Sequence, residues 1–376
     1  MTTTLADVCT ITMGQAPSGS SYNDRGEGLP LIAGAGDFKG GVLAPTKFTT
    51  QPGKVSKPGD IVLSIRASIG AKVWADGEYC LGRGVASLRA RPELDDKYLW
   101  HWLTRSERDL ASKGRGATFL QVNKNDIGEM PIVLPPLSEQ RRIAAILDHA
   151  DALRAKRRQV LAHLDSLTHS IFNEMFSAVP ATSTVEAEAS LIRTGPFGSQ
   201  LLHSEFVDDG IAVLGLDNVV GNEFRWGERR FITPTKYEQL RRYTVRPGDV
   251  LISIMGTTGR CVVVPEDIPV AINTKHICAI TPETARLHPT FLRAAFLWHP
   301  DSLAHLRRQT KGSIMDGLNM GIIKAMPIPV PPLADQQQFA LRAEQLATSR
   351  RGVTHAATSD DELFASLQSR AFRGEL

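Results

Sequence analysis

The sequence predicts an α+β protein built as a tandem duplication, in which a mixed-sheet domain followed by a long helix occurs twice. Two observations lead to this fold class. Blocks of similar sequence recur at a nearly constant interval, and short strand-like runs give way to two long apolar helical stripes. We expect the two long helices to pair as an antiparallel coiled coil. The predicted boundaries are a sheet domain at 1–137, a central helix at 138–178, a second sheet domain at 185–333 and a closing helix at 334–376.

Three pairs of blocks carry the repeat, with the shared sequences Pro-Thr-Lys, Pro-Gly-Asp and Met-Pro-Ile. They begin at Pro45 and Pro234, at Pro58 and Pro247, and at Met130 and Met326. The interval is 189 residues for the first two pairs and 196 for the third. So small a drift indicates two copies of one module.

Short apolar runs bounded by Gly, Pro and Asp predict the strands. In the first domain these runs lie at 29–32, 60–65, 71–74 and 85–89, and in the second at 211–214, 250–254, 261–264 and 277–280. One amphipathic helix is predicted in each domain, at 96–110 and at 290–308.

The two long helices are predicted at 138–177 and 335–373, and the first would be about 60 Å long at 1.5 Å per residue. Apolar residues recur along them at spacings of three and four, with Arg157 interrupting the series and setting its register. Gly352 and residues 354–359 predict bending or fraying of the second helix. The alternative is that each helix folds back onto its own sheet domain. The residues expected to carry helix pairing and partner binding are Ile143, Ile146, Leu153, Leu164, Ile171, Leu363 and Leu367.

The composition permits several classes of function and excludes few. A net charge of +3 and a pI near 8.7 allow a nucleic-acid partner without requiring one. The four cysteines form no CxxC pair and are expected to be buried thiols, which suits a reducing compartment. No apolar run approaches the length of a membrane span, and a cytoplasmic location is expected.

Motifs for covalent chemistry are missing from the sequence. Both Pro-Pro pairs are followed by Leu, at Leu137 and Leu333, where an amino-methyltransferase would have an aromatic residue. The glycine spacing at 14–19 resembles a phosphate-binding loop, but Ser20 stands where the lysine belongs. The sequence lacks the pair of carboxylates with a nearby lysine that a restriction-type nuclease needs. It also lacks a cluster of histidines suited to a metal site. We therefore expect no active site in this chain.

The sequence resembles the specificity subunit of type I restriction-modification systems in four features. These are the paired Pro-Gly-Asp strands, the Gly256–Arg260 glycine turn, the Met-Pro-Ile and Pro-Pro-Leu segments that lead out of each sheet domain into a long helix, and the final Ala-Phe-Arg-Gly-Glu-Leu. The resemblance covers nearly the whole chain. It implies two target-recognition domains that each read half of a bipartite site on double-stranded DNA. It also implies that the helices set the spacer and dock two modification (methyltransferase) subunits. S-adenosylmethionine would belong to those subunits, and ATP and Mg to a restriction subunit if one joins, so that this chain needs no cofactor.

Base edges are read by Arg, Asn, Gln and similar polar side chains on loops, and phosphates are held by flexible Lys and Arg. In the first domain the candidates for DNA contact are Arg66, Lys72, Arg83, Lys113, Arg115, Gln121, Asn123 and Lys124. In the second they are Gln200, Arg229, Arg230, Thr257, Thr258, Arg260, Asn273, Lys275, His276, Lys311, Ser313 and Asn319. The basic loops at 113–116 and 311–313 fit phosphate clamping.

Alternatives remain open for several of these residues. Asn123 and Asn319 also fit helix caps. The basic run at 154–158 fits either a solvated helix face or a contact with an acidic partner or the spacer phosphates. Residues 81–84 align with 272–275 in the repeat, and this divergence weakens the assignments in the first domain. For the whole chain, the rival classes are an enzyme with an unrecognised site and a coiled-coil assembly adaptor that reads no sequence. Divergent loops on a shared scaffold favour sequence reading, because an adaptor for symmetric partners would not need them.

Overall fold

The structure is a computed structural model that describes residues 3–116, 120–309 and 318–376. The chain forms two compact units. The first consists of Met1–Arg158 with His355–Leu376, and the second of Gln159–Thr354. Each unit therefore joins one sheet domain to part of both long helices.

The first sheet domain is built from short strands followed by short helices. Its strands are β1 (Cys9–Met13), β2 (Tyr22–Asn23), β3 (Leu29–Ile32), β4 (Phe38–Lys39), β5 (Val42–Leu43), β6 (Lys47–Thr49), β7 (Ile61–Ser64), β8 (Lys72–Trp74), β9 (Cys80–Leu81) and β10 (Val85–Ala90). Its helices are α1 (Leu5–Val8), α2 (Asp96–Arg105), α3 (Glu107–Ser112) and α4 (Lys124–Gly128), and the long helix α5 (Leu137–Phe176) follows.

Two four-stranded sheets organise this domain. The first is antiparallel with the order β1-β10-β7-β8, and the second has the order β2-β6-β3-β9, in which β3 and β9 run parallel. Strands β4 and β5 form a separate pair. The first sheet buries Leu63 and Leu88 against Tyr98 and Leu99 of helix α2. This mixed architecture confirms the predicted α+β class.

The second sheet domain contains its own set of elements. Its strands are β11 (Ser183–Thr184), β12 (Ala189–Thr194), β13 (Ile211–Leu214), β14 (Phe231–Ile232), β15 (Thr244–Val245), β16 (Val250–Ser253), β17 (Cys261–Val263), β18 (Ala271–Asn273), β19 (Ile277–Pro282) and β20 (Pro327–Ile328). Its helices are α6 (Pro234–Leu240), α7 (Pro289–Trp298), α8 (Pro300–Gln309) and α9 (Met320–Lys324), and the long helix α10 (Leu333–Ala371) follows.

The strand order shows the duplication directly. The antiparallel sheet β12-β19-β16-β17 repeats the order of β1-β10-β7-β8, and the parallel pair β13 and β18 repeats β3 and β9. The flanking strands differ, because β6 and β2 extend the first parallel pair on one side whereas β14 and β15 flank the second on both sides. The two copies of the repeat therefore share one antiparallel sheet and one parallel pair of strands.

The Pro-Gly-Asp motif is a structural turn in both domains. Gly59 and Gly248 adopt positive φ angles of 83° and 78°, which glycine accepts without strain. Asp60 accepts a hydrogen bond from the backbone N of Lys57 at 2.9 Å and pairs with Arg89 at 2.6 Å. Asp249 is fully buried and pairs with Arg193. The motif thus anchors the start of the strand that follows it.

A buried glutamine fixes the start of each long helix. Gln140 Nε2 donates to the carbonyl oxygens of Glu93 and Pro135, and its Oε1 accepts from the backbone N of Asp95 at 2.8 Å. Gln336 repeats these bonds with Arg286, Pro331 and His288. Both glutamines are fully buried. The glutamine of each Pro-Pro-Leu-x-x-Gln segment therefore attaches the start of a long helix to the preceding sheet domain.

Within the first unit the long helices run antiparallel. Arg154 pairs with Asp361 at 2.5 Å, and Arg157 pairs with Asp360. Residue numbers therefore increase along α5 in the direction in which they decrease along α10. Arg154 and Arg157 are therefore not merely solvated, and the Arg157 ion pair is compatible with the register-setting role predicted for it.

The second unit shows the same antiparallel direction. Arg350 pairs with Asp165 at 2.5 Å, and the Phe172 ring lies 5.6 Å from that of Phe339. The predicted antiparallel pairing is therefore confirmed within each unit. The predicted fraying near Gly352 is wrong, because α10 remains helical from Leu333 to Ala371.

Two predicted helices are each interrupted. The helix expected at 96–110 breaks at Ser106, which has φ −89° and ψ 2° and separates α2 from α3. The helix expected at 290–308 breaks at His299, because Pro300 disfavours a helical conformation in the residue before it. The strand predictions at 29–32, 60–65, 71–74 and 85–89 match β3, β7, β8 and β10 to within one residue at each end.

All four cysteines are free and buried, as predicted. Burial raises the pKa of the Cys9, Cys261 and Cys278 thiols to about 12. Among the described residues, no helix is both long and apolar enough to cross a membrane.

Candidate nucleic-acid interface

One loop has the same backbone frame in both units. We call residues 64–71 and 253–260 the strand-exit loops, because they begin at the last residue of β7 and of β16, respectively, each of which is one of the two inner strands of its antiparallel sheet. In the first, the N of Ser64 donates to the carbonyl of Ala71 and the N of Gly70 donates to that of Ser64, at 2.7 and 3.0 Å. In the second, Ser253 and Gly259 make the corresponding bonds, the former to Arg260, at 2.9 Å each. Equivalent positions are 189 residues apart, as the sequence repeat predicts.

The strand-exit loops turn through a left-handed residue. Gly256 has φ 73°, a conformation that glycine adopts freely, whereas the equivalent Ala67 has φ 54°. A non-glycine residue in this region is strained, and such strain collects at functional sites.

A second loop packs beside each strand-exit loop. We call residues 81–85 and 273–277 the flanking loops. The N of Ile65 donates to the carbonyl of Gly84 at 2.9 Å, and the N of Ile254 donates to that of His276 at 2.8 Å. By this match Arg83 is equivalent to Lys275, and both residues are exposed. The alignment of 81–84 with 272–275 is therefore shifted by one residue, and 81–84 match 273–276.

Gly14, the first glycine of the phosphate-loop-like segment, and Gly195 of the second unit have a packing role. A Cβ on Gly14 would lie 2.1 Å from the carbonyl oxygen of Gly82, and a Cβ on Gly195 would lie 2.1 Å from that of Asn273. Only glycine permits these approaches. Gly14 and Gly195 therefore allow close backbone packing against the flanking loop of their own units.

In the first unit the loop region brings together Arg66, Gln121 and Arg115. Arg66 Nε donates to Gln121 Oε1 at 2.6 Å, and the backbone of Gln121 pairs with that of Arg115. Arg115 also pairs with Asp126 at 3.2 Å but keeps 77% of its side chain exposed. These three candidates form a hydrogen-bonded group, and the Ile65–Gly84 backbone bond joins their loop to the flanking loop that carries Arg83.

Other candidates of the first unit serve partly structural purposes. Asn123 caps helix α4 by accepting from the backbone N of Asn125 and Asp126, which confirms the capping alternative. Lys124 is exposed at the start of that helix, and Lys113 is half-buried. The amine of Lys72 lies 4.8 Å from the Trp100 ring centre, and burial lowers the pKa of Lys72 to about 8. Lys72 therefore packs on helix α2 rather than joining the loop group.

The second unit places Thr257, Thr258 and Arg260 on its strand-exit loop, with Thr257 and Arg260 exposed. His276 is half-buried beside them, and burial together with Lys275 lowers its pKa. Asn273 differs from the prediction. Its side chain is fully buried, and its Nδ2 donates to the carbonyl of Ile277 at 2.8 Å. Asn273 therefore holds the flanking loop and presents nothing to solvent.

Two further candidate groups lie outside the strand-exit loop. Gln200 Oε1 accepts from Tyr243 Oη at 2.7 Å and from Arg242 Nη2 at 3.2 Å. Arg229 stacks 5.2 Å from the ring centre of Trp226. The candidate Arg230 pairs with Asp217 at 3.2 Å and with Glu228 at 3.6 Å.

Sequence reasoning missed Arg242 and Tyr243, which no motif distinguishes in the sequence. Asn319 caps helix α9 by accepting from the backbone N of Ile322, as its structural alternative predicted. Lys311 and Ser313 lie outside the described residues.

The apolar helical residues divide into a buried set and an exposed set. Ile143 is buried with Ala144 and Leu147 in the sheet-domain core, which agrees in part with the fold-back alternative and removes Ile143 from any partner surface. Ile146, Leu153, Leu363 and Leu367 instead line an open apolar groove of about 480 Å³.

We call this groove the helix groove. Its lining includes Arg142 and Asp360, and Leu153 and Leu363 are 40% and 54% exposed. In the second unit Leu164 and Ile171 are half-buried, and Ile171 packs against the Phe172 core.

The strand-exit loops and the flanking loops present hydrogen-bond donors, positive charge and exposed apolar atoms. Among the residues described, no cluster of three or more His, Cys, Asp or Glu side chains is arranged to hold a metal ion. Hydrogen-bond donors and cationic side chains on loops suit the binding of a long anionic partner that also presents hydrogen-bond acceptors. The fold and these loops thus define a duplicated recognition protein.

Comparison with known proteins identifies the family. A model described as the type I restriction modification DNA specificity domain matches residues 1–163 and 218–349. The chain is 24% identical over 405 aligned residues to the EcoBI type I restriction enzyme specificity subunit of Escherichia coli, covering 98% of this chain and 84% of that protein. It is 34% identical over 164 residues to a protein of Methanocaldococcus jannaschii assigned as the MjaX specificity subunit, and this match spans 43% of the chain and only 39% of the relative.

Solved structures show the same fold. The S subunit of a type I restriction-modification system from M. genitalium superposes with a TM-score of 0.62 at 14% identity, covering 99% of this chain and 96% of that one. A chain from a structure of type I system assembly and conformational transition gives 0.61 at 18% identity, covering 100% and 98%. Because the family model covers most of the sequence, the chain belongs to the family of type I restriction-modification DNA specificity proteins.

Proposed function

We propose that this chain is the DNA-reading subunit of a type I restriction-modification complex, and that each sheet domain contacts one half of a bipartite site on double-stranded DNA. The observation that carries the proposal is the pair of strand-exit loops, which share a backbone frame and differ in their side chains. A common frame presents side chains in a common geometry, and different side chains select different base pairs. The family membership supports the same role.

Charge around the loops supports contact with the DNA backbone. Arg83 and Lys275 occupy the same exposed position of the two flanking loops, and Arg115 extends the positive surface of the first unit. Long cationic side chains neutralise phosphates without selecting sequence, and so they fix the orientation of the protein on the duplex. In this proposal Arg83, Lys275 and Arg115 hold phosphates while the strand-exit loops face base edges.

The helix groove supports the docking of a modification subunit. Exposed apolar side chains that line a groove fit the apolar face of a partner helix. The proposal assigns methyl transfer to that subunit, which would bind S-adenosylmethionine, and assigns ATP and Mg to a restriction subunit where one joins. The long helices α5 and α10 would set the spacer, since their length limits how far apart the two half-sites lie.

The proposal is tested by co-expressing the chain with its methyltransferase partner and sequencing the methylome with and without the chain. A split motif that appears only when the chain is present supports the proposal. Methylation that is unaffected by the absence of the chain contradicts it and favours the adaptor that reads no sequence.

Docking is tested separately with Leu363→Glu. Because Leu363 is 54% exposed, the substitution should leave the chain folded while placing a charge in the helix groove. Leu341→Glu is the matched control, since Leu341 is 66% exposed on the same helix and does not line the groove. Co-purification with the methyltransferase should fall at least tenfold for Leu363→Glu and stay unchanged for the control. Equal co-purification of both variants would remove the groove from the docking surface.

A further inference from the structure

Arg66 and Met255 occupy the same position of the two strand-exit loops. Each follows an isoleucine whose backbone N donates to the flanking loop, and each precedes the left-handed residue of its turn, Ala67 or Gly256. Three backbone hydrogen bonds around this position are equivalent in the two units, namely those donated by Ser64, Ile65 and Gly70 and those donated by Ser253, Ile254 and Gly259. The two side chains therefore leave the same backbone frame at the same point, although their chemistry differs.

The guanidinium of Arg66 is held in place from one side. Its Nε donates to Gln121 Oε1 at 2.6 Å, and the backbone of Gln121 is itself paired with that of Arg115. Within the described part of the chain, the terminal amino groups of Arg66 have no hydrogen-bond or ion-pair partner. An arginine fixed through Nε presents two parallel donors, which match the O6 and N7 acceptors of guanine.

Met255 presents the opposite chemistry. Its side chain is 40% exposed, although the preceding residues Ile252, Ser253 and Ile254 are buried. A thioether offers no hydrogen-bond donor, but it is flexible and polarisable and packs well against a methyl group. In the major groove only thymine carries such a group, at C5.

We propose that this single loop position selects one base pair in each half-site: Arg66 selects a G·C pair through guanine, and Met255 selects an A·T pair through the thymine methyl group. The inference rests on the proposed function and names the position that decides sequence within it. Gln121 is then a positioning residue, because it holds the arginine without contacting the base.

The test uses the full chain in complex with its methyltransferase and compares Arg66→Met with Met255→Arg by methylome sequencing. Arg66→Met should reduce the preference for G·C at one position of one half-site by roughly 5- to 150-fold, the range for one bidentate contact. Met255→Arg should create a preference for G·C at one position of the other half-site. Arg25→Met and Val270→Arg are matched controls, since these residues are 73% and 51% exposed on other loops.

The outcomes separate the inference from the proposed function. If the wild-type chain directs a split motif but Arg66→Met leaves it unchanged, or changes bases in both halves, the position does not select bases. If the wild-type chain directs no motif, the proposed function itself fails. Should Arg66→Met not fold, Arg66→Lys keeps the charge and loses the two-donor edge, and the same loss of G·C preference is expected. Gln121→Ala should weaken that preference, and a full return with Gln121→Glu, which keeps the acceptor, would separate positioning from folding.

Discussion

Replacing Gln336 by Ala tests how the second sheet domain is joined to helix α10. The side chain is fully buried and makes three hydrogen bonds of 2.8–2.9 Å, to the N of His288 and to the carbonyls of Arg286 and Pro331. Each net hydrogen bond contributes about 1 kcal/mol, and a buried group left unpaired costs about 1–3 kcal/mol. The free energy of unfolding should therefore fall by about 3–5 kcal/mol.

The assay is urea denaturation followed by circular dichroism, with Gln337→Ala as the control. Gln337 is the exposed neighbour on the same turn of the helix, so its replacement should change the free energy of unfolding by less than about 0.5 kcal/mol. Hydrogen exchange should show faster opening at residues 286–288 in Gln336→Ala. If the free energy of unfolding falls by less than about 1 kcal/mol in Gln336→Ala, or falls equally in both variants, Gln336 does not attach helix α10 to the sheet domain.

Three other perturbations follow from the same contacts. Burial lowers the pKa of Lys72 to about 8 from an ordinary value near 10.5. Between pH 8 and 10.5 the unfolded chain therefore keeps a proton on Lys72 that the folded chain has lost. Wild-type stability should thus rise from pH 8 to 10.5 relative to Lys72→Met, and parallel pH profiles would contradict this. A double-mutant cycle on Arg157→Ala and Asp360→Ala should give a coupling of about 1 kcal/mol, and a coupling near zero would remove the ion pair as a register device. Ala67→Gly relieves a positive φ of 54° and should raise the free energy of unfolding by up to about 1 kcal/mol without altering the DNA motif; a clear loss of stability would argue against strain at this residue.

The repeat and the strands followed from local patterns in the sequence. Pro-Gly-Asp before an apolar run predicted β7 and β16, because the turn and the run are adjacent in sequence. The long helices, predicted at 138–177 and 335–373, were placed to within about two residues at each end, because Pro-Pro marks where each helix begins and the apolar stripe marks how far it extends. The break at Ser106 has no such local signal.

Site residues were harder to predict because their settings depend on distant contacts. The acceptor of Gln200 is occupied by Arg242 and Tyr243, which lie more than 40 residues away. Asn273 was expected to contact DNA, but it ends strand β18, where its side chain is buried and its Nδ2 donates to the carbonyl of Ile277. Arg66 was recognised as a candidate, whereas its support by Gln121, 55 residues later, required the fold.

The apolar stripe on helix α5 illustrates a further limit. Periodicity identified Ile143 and Ile146 alike, yet Ile143 is buried in the sheet-domain core and Ile146 lines the helix groove. A three-residue step moves a side chain by about 60° around a helix of 3.6 residues per turn. That rotation separates a core contact from a groove contact, and the pattern alone does not assign one residue to each.

The most direct test of the central claim is to exchange residues 1–137 for the first sheet domain of another family member and to sequence the methylome of cells that express the hybrid with its methyltransferase. The account predicts that one half of the split motif changes while the other half and the spacer stay the same. A hybrid whose motif changes in both halves, or in neither, would contradict the claim that each sheet domain reads its own half-site.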